Sequence, residues 1–387
     1  MLGSQFAARV LGLLNSVLLA RLLAPASYGD LTQAMAAAGS MAPLADMGIS
    51  SLMMRHIARR PRSSTVLGTA IGLRMVQGIL LWGIAALGAG WVYHSARLRT
   101  ALVLAGAYWA VACVHQLLAA VARARLQAHI ETRAVVVERV ATVLLAAGGA
   151  LRFGLTGALC GILAGGALAL VVYLYKLPLP RAQIRWRVCK LLLALGAPLV
   201  VADVCHGLIM RLDILAVGMR YGSQSAGWYG SASILLWASN LVAGSMALSL
   251  VPSAALPRED VRYLSTRVLR WMLAVAVLLA TVLSGGAAFW VNLLYGADYA
   301  PAAKALRVLA WCLVPASVVA WGNAVLLVRH RTAWVSMVAA GGLICLAFCL
   351  WWWLPHGLPG AGYAQLATQC GMAGWLWWWI RRDSPVR

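Results

Sequence analysis

The sequence predicts an all-α polytopic membrane protein, with about twelve transmembrane helices in two pseudo-symmetric six-helix lobes around a central cavity. Three observations predict it: an apolar content beyond that of soluble domains, basic residues gathered in alternate loops, and a faint repeat between the two halves. Of 387 residues, 63% are hydrophobic and 11% charged, and the mean hydropathy is +0.82, whereas soluble domains are nearer half apolar. Runs of about 20 apolar residues, enough to cross a bilayer, fall near 2 to 21, 29 to 50, 65 to 92, 100 to 121, 134 to 151, 155 to 175, 191 to 217, 230 to 254, 270 to 294, 304 to 328, 333 to 354 and 360 to 380. Several are separated only by turn residues, as at Gly148-Gly149 to Gly157 and Pro355 to Gly362.

Lys and Arg outnumber Asp and Glu by 32 to 10. The loops after spans 2, 4, 6, 8 and 10 and the C-terminal tail hold 22 of these cations, and the opposite loops hold 6. By the positive-inside rule the rich side is cytoplasmic, which predicts both termini there. The net charge of +22 is then a record of topology, and no nucleic-acid partner is expected. The first apolar run has no basic residue from Met1 to Ala8, so it reads as an uncleaved membrane helix and not as a secretory signal. Eight cysteines lie through or beside the apolar runs without a CxxC pair, and Cys345 and Cys349 share a helix face with no His or carboxylate beside them. No disulfide, metal site or cofactor is expected.

The repeat is carried by Leu22 to Asp30 (LLAPASYGD) and by GSQSAGWYGSA, where Tyr28-Gly29 and Tyr229-Gly230 recur 201 residues apart. Six spans per half is an even number, so both halves enter from the same side and form a parallel repeat, with substrate expected where they meet. Lys176 to Lys190 (KLPLPRAQIRWRVCK) is the expected cytoplasmic linker, between an N-terminal lobe of residues 1–180 and a C-terminal lobe of 181–387.

Ionisable groups inside apolar runs are costly in lipid and mark functional sites. The run from Leu193 to Gly230 reads as one apolar helix followed by a short polar turn. At about 100° per residue, it gathers Asp203, His206, Arg211 and Asp213 within half of its circumference and leaves Val201, Leu208, Leu212 and Leu215 on the other half. With the 201-residue offset Arg211 corresponds to Val10, beside Arg9, so each half carries an arginine at nearly the same depth. Gln5, Arg9, Gly12 and Ser16 share a face of the first span, and Arg74 lies in the third with Gln77 and Gly78. Guanidinium offers planar bidentate donors at any relevant pH, so Arg9, Arg74 and Arg211 are candidate ligands of a phosphate-bearing substrate in a water-filled cavity. Internal pairing of Arg211 with Asp203 or Asp213 is the competing reading. Gln5, Asp203, His206 and Asp213 are candidates for cavity lining or ion coupling. His115 and His206 also read as packed neutral imidazoles. Asp46 and Arg55 are candidates for a gate or a structural pair, and the Trp351–Trp353 and Trp377–Trp379 runs read as interfacial anchors. No Walker A, GxSxG or HExxH sequence appears, so no enzyme is expected, and transport would be driven by a gradient or by the substrate.

From Arg21 to Pro61 the residues RLLAPASYGDLTQAMAAAGSMAPLADMGISSLMMRHIARRP resemble the Wzx-type oligosaccharide flippases, the polysaccharide transporter branch of the multidrug/oligosaccharidyl-lipid/polysaccharide exporter superfamily. Asp46-Met47-Gly48 and Arg55 to Arg59 match the family's Asp-x-Gly turn and basic end. MRLDILAVGMRYGSQSAGWYGSA, LLYGADYAPAAKALRVLAW and GLPGAGYAQLATQ extend the likeness over nearly the whole chain. Members usually begin a few residues earlier. The resemblance implies two six-helix lobes forming a V around a cavity. It also implies cavity arginines that hold the diphosphate of an undecaprenyl-linked oligosaccharide while the lobes alternate between inward-open and outward-open, in the bacterial inner membrane. The implied partners are the lipid-linked oligosaccharide, membrane lipids and other polysaccharide-assembly proteins, and the coupling ion would be Na+ or H+. The alternatives are a cation-coupled drug exporter of the same superfamily, with Asp203 or Asp213 as coupling carboxylate, and a membrane polysaccharide ligase or polymerase.

Overall fold

The computed structural model describes the chain outside residues 1, 61–62, 94, 241–245, 247–257, 329–330 and 383–387. Side chains are in addition not described at 2–9, 92, 196–199, 258–265, 327–328 and 332. Gln5, Arg9 and most of the second half of the expected span 230 to 254 therefore lie outside the described residues. The described residues are nearly all helical, and they form two compact units, Met1–Gly207 and Leu208–Arg387. By length and composition six described helical stretches can cross a membrane, or seven if Trp186–Leu195 and Val200–Ile209, which meet at 63°, count as one.

In the first unit α1 (Leu2–Leu22) leads into α2 (Pro25–Asp46), whose first turn opens on proline, where the missing N–H loses no bond. Met47 (φ 44°) and Gly48 (φ 65°) are both left-handed and turn the chain into the short α3 (Ile49–Arg59), whose Ile49, Met53 and Ile57 are buried. Helices α4 (Ser64–Val92) and α5 (Ala96–Ala124) pack side by side. Next comes α6 (Ala128–Lys176), two antiparallel arms that reverse at Gly154 (φ 59°, ψ −135°). The arms nearly touch: a Cβ built on Gly157 would meet the Gly149 carbonyl oxygen at 2.1 Å. This is the turn expected between the fifth and sixth spans.

At one end of the unit Arg97, from the start of α5, bonds Ser27 and approaches Asp30 of α2 at 3.3 Å. At the other end the segments after α3, α5 and α6 converge. Ile49, Met53 and Ile57 share an apolar cluster there with Leu117, Leu118, Val121, Ile130, Tyr173 and Leu192, and Arg125 donates to the Pro178 carbonyl at 3.0 Å. The loops expected to be basic and cytoplasmic in this half thus lie at one end.

One expectation changes at the centre of the chain. The run from Leu193 is not one helix to residue 217: α7 (Trp186–Ile209) ends in a tight turn in which the Arg211 N–H donates to the Leu208 carbonyl. Arg211 leaves helical geometry (φ −138°, ψ −20°), and α8 (Leu212–Ser239) begins after it. The helical wheel drawn across 203 to 213 therefore does not apply. The short polar turn expected before Tyr229 is present and is confined to Gly222 (φ 81°, ψ 174°), with α8 helical on both sides of it. The compact units divide at 207/208. The reason is packing: Cys189 and Leu192 of α7 are buried, and Leu192 joins the first unit's cluster.

The second unit continues with α9 (Arg258–Gly285), α10 (Ala287–Tyr295), α11 (Ala302–Leu309) and α12 (Leu313–Val328). It closes with the hairpin of α13 (Thr332–Trp353) and α14 (Leu358–Arg382). α11 packs against α8 and α14, and its buried Leu306 and Leu309 lie in a core that also holds Tyr229, Tyr295 and Tyr299. The closing hairpin turns at Gly357 (φ 85°), and a Cβ on Gly360 would meet the Trp353 carbonyl oxygen at 2.0 Å. Gly154-Leu155-Thr156-Gly157-Ala158 and Gly357-Leu358-Pro359-Gly360-Ala361 thus make the same turn in the two halves, 203 residues apart. The repeat seen at Tyr28 and Tyr229 extends to the last hairpin of each half.

Candidate functional site

Each unit buries ionisable groups at a break between helices. In the first, Arg74 of α4 is 0% exposed. One of its terminal nitrogens donates to the Ala45 carbonyl at 2.6 Å, and the other to Asp46 and to Ser50 at 2.9 Å. Ser50 in turn donates to Asp46 Oδ1 at 2.7 Å. The C-terminus of α2 leaves carbonyls without helical partners and carries partial negative charge, so the guanidinium both caps this end and neutralises the carboxylate. This corrects two expectations. Arg74 is engaged by its own protein and is not open to a cavity, and the partner of Asp46 is Arg74, while Arg55 lies on the exposed face of α3.

Asp203 and His206 are exposed on α7, and Asp203 is within electrostatic reach of Asp46.

Between α5 and α6 lies a second polar layer that the sequence reading missed. Glu138 is buried, accepts from the Tyr108 hydroxyl at 3.3 Å and is 3.7 Å from His115 Nε2. The His115 ring is 5.2 Å from that of Tyr173, and Glu131, also buried, is 3.4 Å from Arg123. The signal was present: Glu131 and Glu138 are seven residues, two helical turns, apart, which puts both on one face. Arg139 lies within the same helix.

In the second unit Asp213 is almost fully buried at the start of α8. It accepts from the Tyr229 hydroxyl at 2.8 Å and from the backbone N–H of Ile214 at 2.8 Å. Asp213 is thus a structural acceptor here and lines no open surface. Arg211, two residues earlier, is half-buried at the α7–α8 break. Such breaks suit anion recognition, because the first N–H groups of a helix have no helical partners and the dipole favours negative charge.

These helices form a multi-pass membrane protein of the transporter fold shared by MATE proteins and MurJ. A multidrug resistance MATE family transporter of the MOP superfamily, in an inward-facing conformation, superposes with TM-score 0.80 at 13% identity over 97% of this chain and 94% of its own. The lipid II flippase MurJ, in an inward closed conformation, gives 0.69 at 15% identity over 98% and 86%. A MOP superfamily transporter from Pyrococcus furiosus with a binding pocket of reverse polarity gives 0.65 at 13% over 99% and 93%. No curated protein matches in sequence. The chain belongs to the polysaccharide biosynthesis protein family, which it matches over residues 18–304.

Proposed function

We propose that this protein is a flippase that carries an undecaprenyl-pyrophosphate-linked oligosaccharide from the cytoplasmic to the periplasmic leaflet of a bacterial inner membrane by alternating access. The diphosphate would be received by Arg211, with Arg9 as its counterpart in the first half. The observation that carries this reading is the break at Met210-Arg211, which leaves an arginine half-buried at the start of α8 in a chain of a polysaccharide biosynthesis family. Discontinuous membrane helices with their N-termini toward anionic groups are a recurrent way of binding such substrates at mid-depth. Likeness to a lipid II flippase is consistent with this. Arg74 supports the site indirectly, by fixing the end of α2 beside Asp46.

The test replaces Arg9 and Arg211, singly and together, with Ala and with Lys in a strain lacking the native gene. Surface polysaccharide and accumulated lipid-linked intermediate are then measured at matched expression. Loss of export with Ala, and partial loss with Lys, is expected from a bidentate diphosphate contact. Normal export in the double Ala variant would remove both residues from the mechanism.

A second reading, a cation-coupled drug exporter, is favoured by the MATE likeness and by the exposed carboxylate of Asp203, which would titrate with Na+ or H+. Drug resistance conferred on a sensitive host, and lost in Asp203→Asn, would support it. A polysaccharide ligase or polymerase would instead yield joined product in a purified system.

A further inference from the structure

The segment that joins α6 to α7 is not a loose tether. It runs without helix from Pro178 to Arg185, and its backbone is let into the surface of α4 at two glycines. A Cβ on Gly68 would meet the Arg181 carbonyl oxygen at 2.6 Å, and one on Gly72 would meet that of Gln183 at 2.7 Å. The Gln183 N–H donates to the Gly68 carbonyl at 3.1 Å, and its side chain reaches the Thr65 carbonyl at 3.4 Å. Four residues separate the glycines, so they form a bare strip on one helix face into which an extended strap fits.

What the strap and the first residues of α7, which continue it, present together is unlike an ordinary loop. Arg181, Arg185, Arg187 and Lys190 are all exposed, and between them Ile184 is 60% and Trp186 67% exposed. Lys190 lies 5.4 Å from the Trp186 ring centroid. A topogenic signal requires the cations alone. It requires neither a fixed seat nor an indole and a branched aliphatic side chain held out toward solvent. Indoles favour the headgroup level of a bilayer, and basic residues near an anionic leaflet each contribute about 1 kcal/mol.

We propose that this strap is a docking surface for anionic phospholipid headgroups of the leaflet on the basic side of the protein. Arg181, Arg185 and Arg187 meet the phosphates, and Ile184 and Trp186 enter the interface. The seat on Gly68 and Gly72 holds the strap in register, so little ordering cost remains when lipid binds. The inference does not depend on what cargo the protein carries.

The experiment uses the purified full-length chain in detergent and reads bound lipid by native mass spectrometry after addition of phosphatidylglycerol or phosphatidylethanolamine. Wild type is expected to retain phosphatidylglycerol in preference, with retention falling as salt rises. Arg181→Gln/Arg185→Gln/Arg187→Gln should weaken it on the order of a hundredfold. Arg55→Gln/Arg59→Gln, which removes charge from the same end without touching the strap, should weaken it several times less. Equal weakening by the two variants, or unchanged retention in the first, would overturn the proposal. A second measurement keeps every arginine: benzoylphenylalanine at position 184 should crosslink phosphatidylglycerol in vesicles containing it, and absence of a lipid adduct there would also overturn it.

Discussion

Tyr229 donates its hydroxyl hydrogen to Asp213 across 2.8 Å within the second unit, and both side chains are shut away from solvent. Its repeat partner Tyr28, 201 residues earlier, is equally buried, and its hydroxyl lies 2.5 Å from that of Ser16. The two halves therefore fix the same tyrosine against the preceding helix, one with a neutral partner and one with a carboxylic acid group. Tyr229→Phe removes a donor from a buried acid group and should destabilise by about 1–3 kcal/mol, whereas Tyr28→Phe should cost about 0.5–1.5 kcal/mol. Thermal unfolding in detergent orders the two.

Asp213→Asn separates a structural role from ion coupling. Asparagine keeps an acceptor for Tyr229 and cannot titrate, so stability within about 1 kcal/mol of wild type and normal export are expected together. Normal stability with export abolished would make Asp213 a coupling carboxylate of the flippase and not a structural acceptor alone.

The Arg74–Asp46 pair should behave as one unit. Removing a single partner of a buried pair typically costs about 3–5 kcal/mol, because the remaining charge is stranded, while replacing both with apolar groups of similar volume costs far less. Asp46→Leu, which strands the fully buried Arg74, is expected to abolish folded protein or lower its melting temperature sharply; Arg74→Met, which leaves the partly exposed Asp46 carboxylate, should cost less, and the double variant should recover much of the loss. Additive losses in the cycle would show that the two groups act independently.

Glu138 joins α5 to α6 through Tyr108 and the neighbouring His115. Glu138→Gln keeps an acceptor for the tyrosine and should be tolerated, while Glu138→Leu leaves Tyr108 without this partner and should cost about 1–3 kcal/mol. Differential scanning of the purified variants reads the ranking, and equal melting temperatures would remove this contact from the stability of the helix pair.

The sequence carried the fold through quantities that survive without coordinates: the length of apolar runs, the side on which cations collect, and glycine at the reversals near 154 and 357. It did not carry the α7–α8 break. Hydropathy from 193 to 217 continues through residue 211, and neither Met210 nor Arg211 is a residue that must end a helix. Arg74 was misread for a related reason. Composition cannot distinguish a cation facing water from one neutralised by a carboxylate 28 residues earlier, and only the left-handed Met47-Gly48 turn brings Asp46 round to it. The clearest mark of the repeat, the two Gly-Leu-x-Gly-Ala turns, was in plain view. A five-residue match in one chain carries little weight by itself, and only the hairpin geometry shows why both glycines of each turn are needed.

That geometry separates two adjacent glycines. Gly148 faces open space, while a Cβ on Gly149 would come within 2.2 Å of the Gly157 carbonyl oxygen and 2.6 Å of its carbon. The obstacle is backbone of the opposing arm of α6, so it can yield only if the whole hairpin opens. Gly148→Ala should be neutral or should stabilise by up to about 1 kcal/mol through helix propensity, with no contact to disturb. Gly149→Ala gains the same propensity and should nevertheless destabilise by roughly 1–3 kcal/mol from overpacking. Gly157→Ala and Gly360→Ala meet the same obstacle in the two halves and should follow Gly149. The measurement is the melting temperature and monodisperse yield of the four variants in one detergent. If Gly148 and Gly149 respond alike, the arms are not in contact at that level, and the correspondence between the two closing hairpins is confined to their turns.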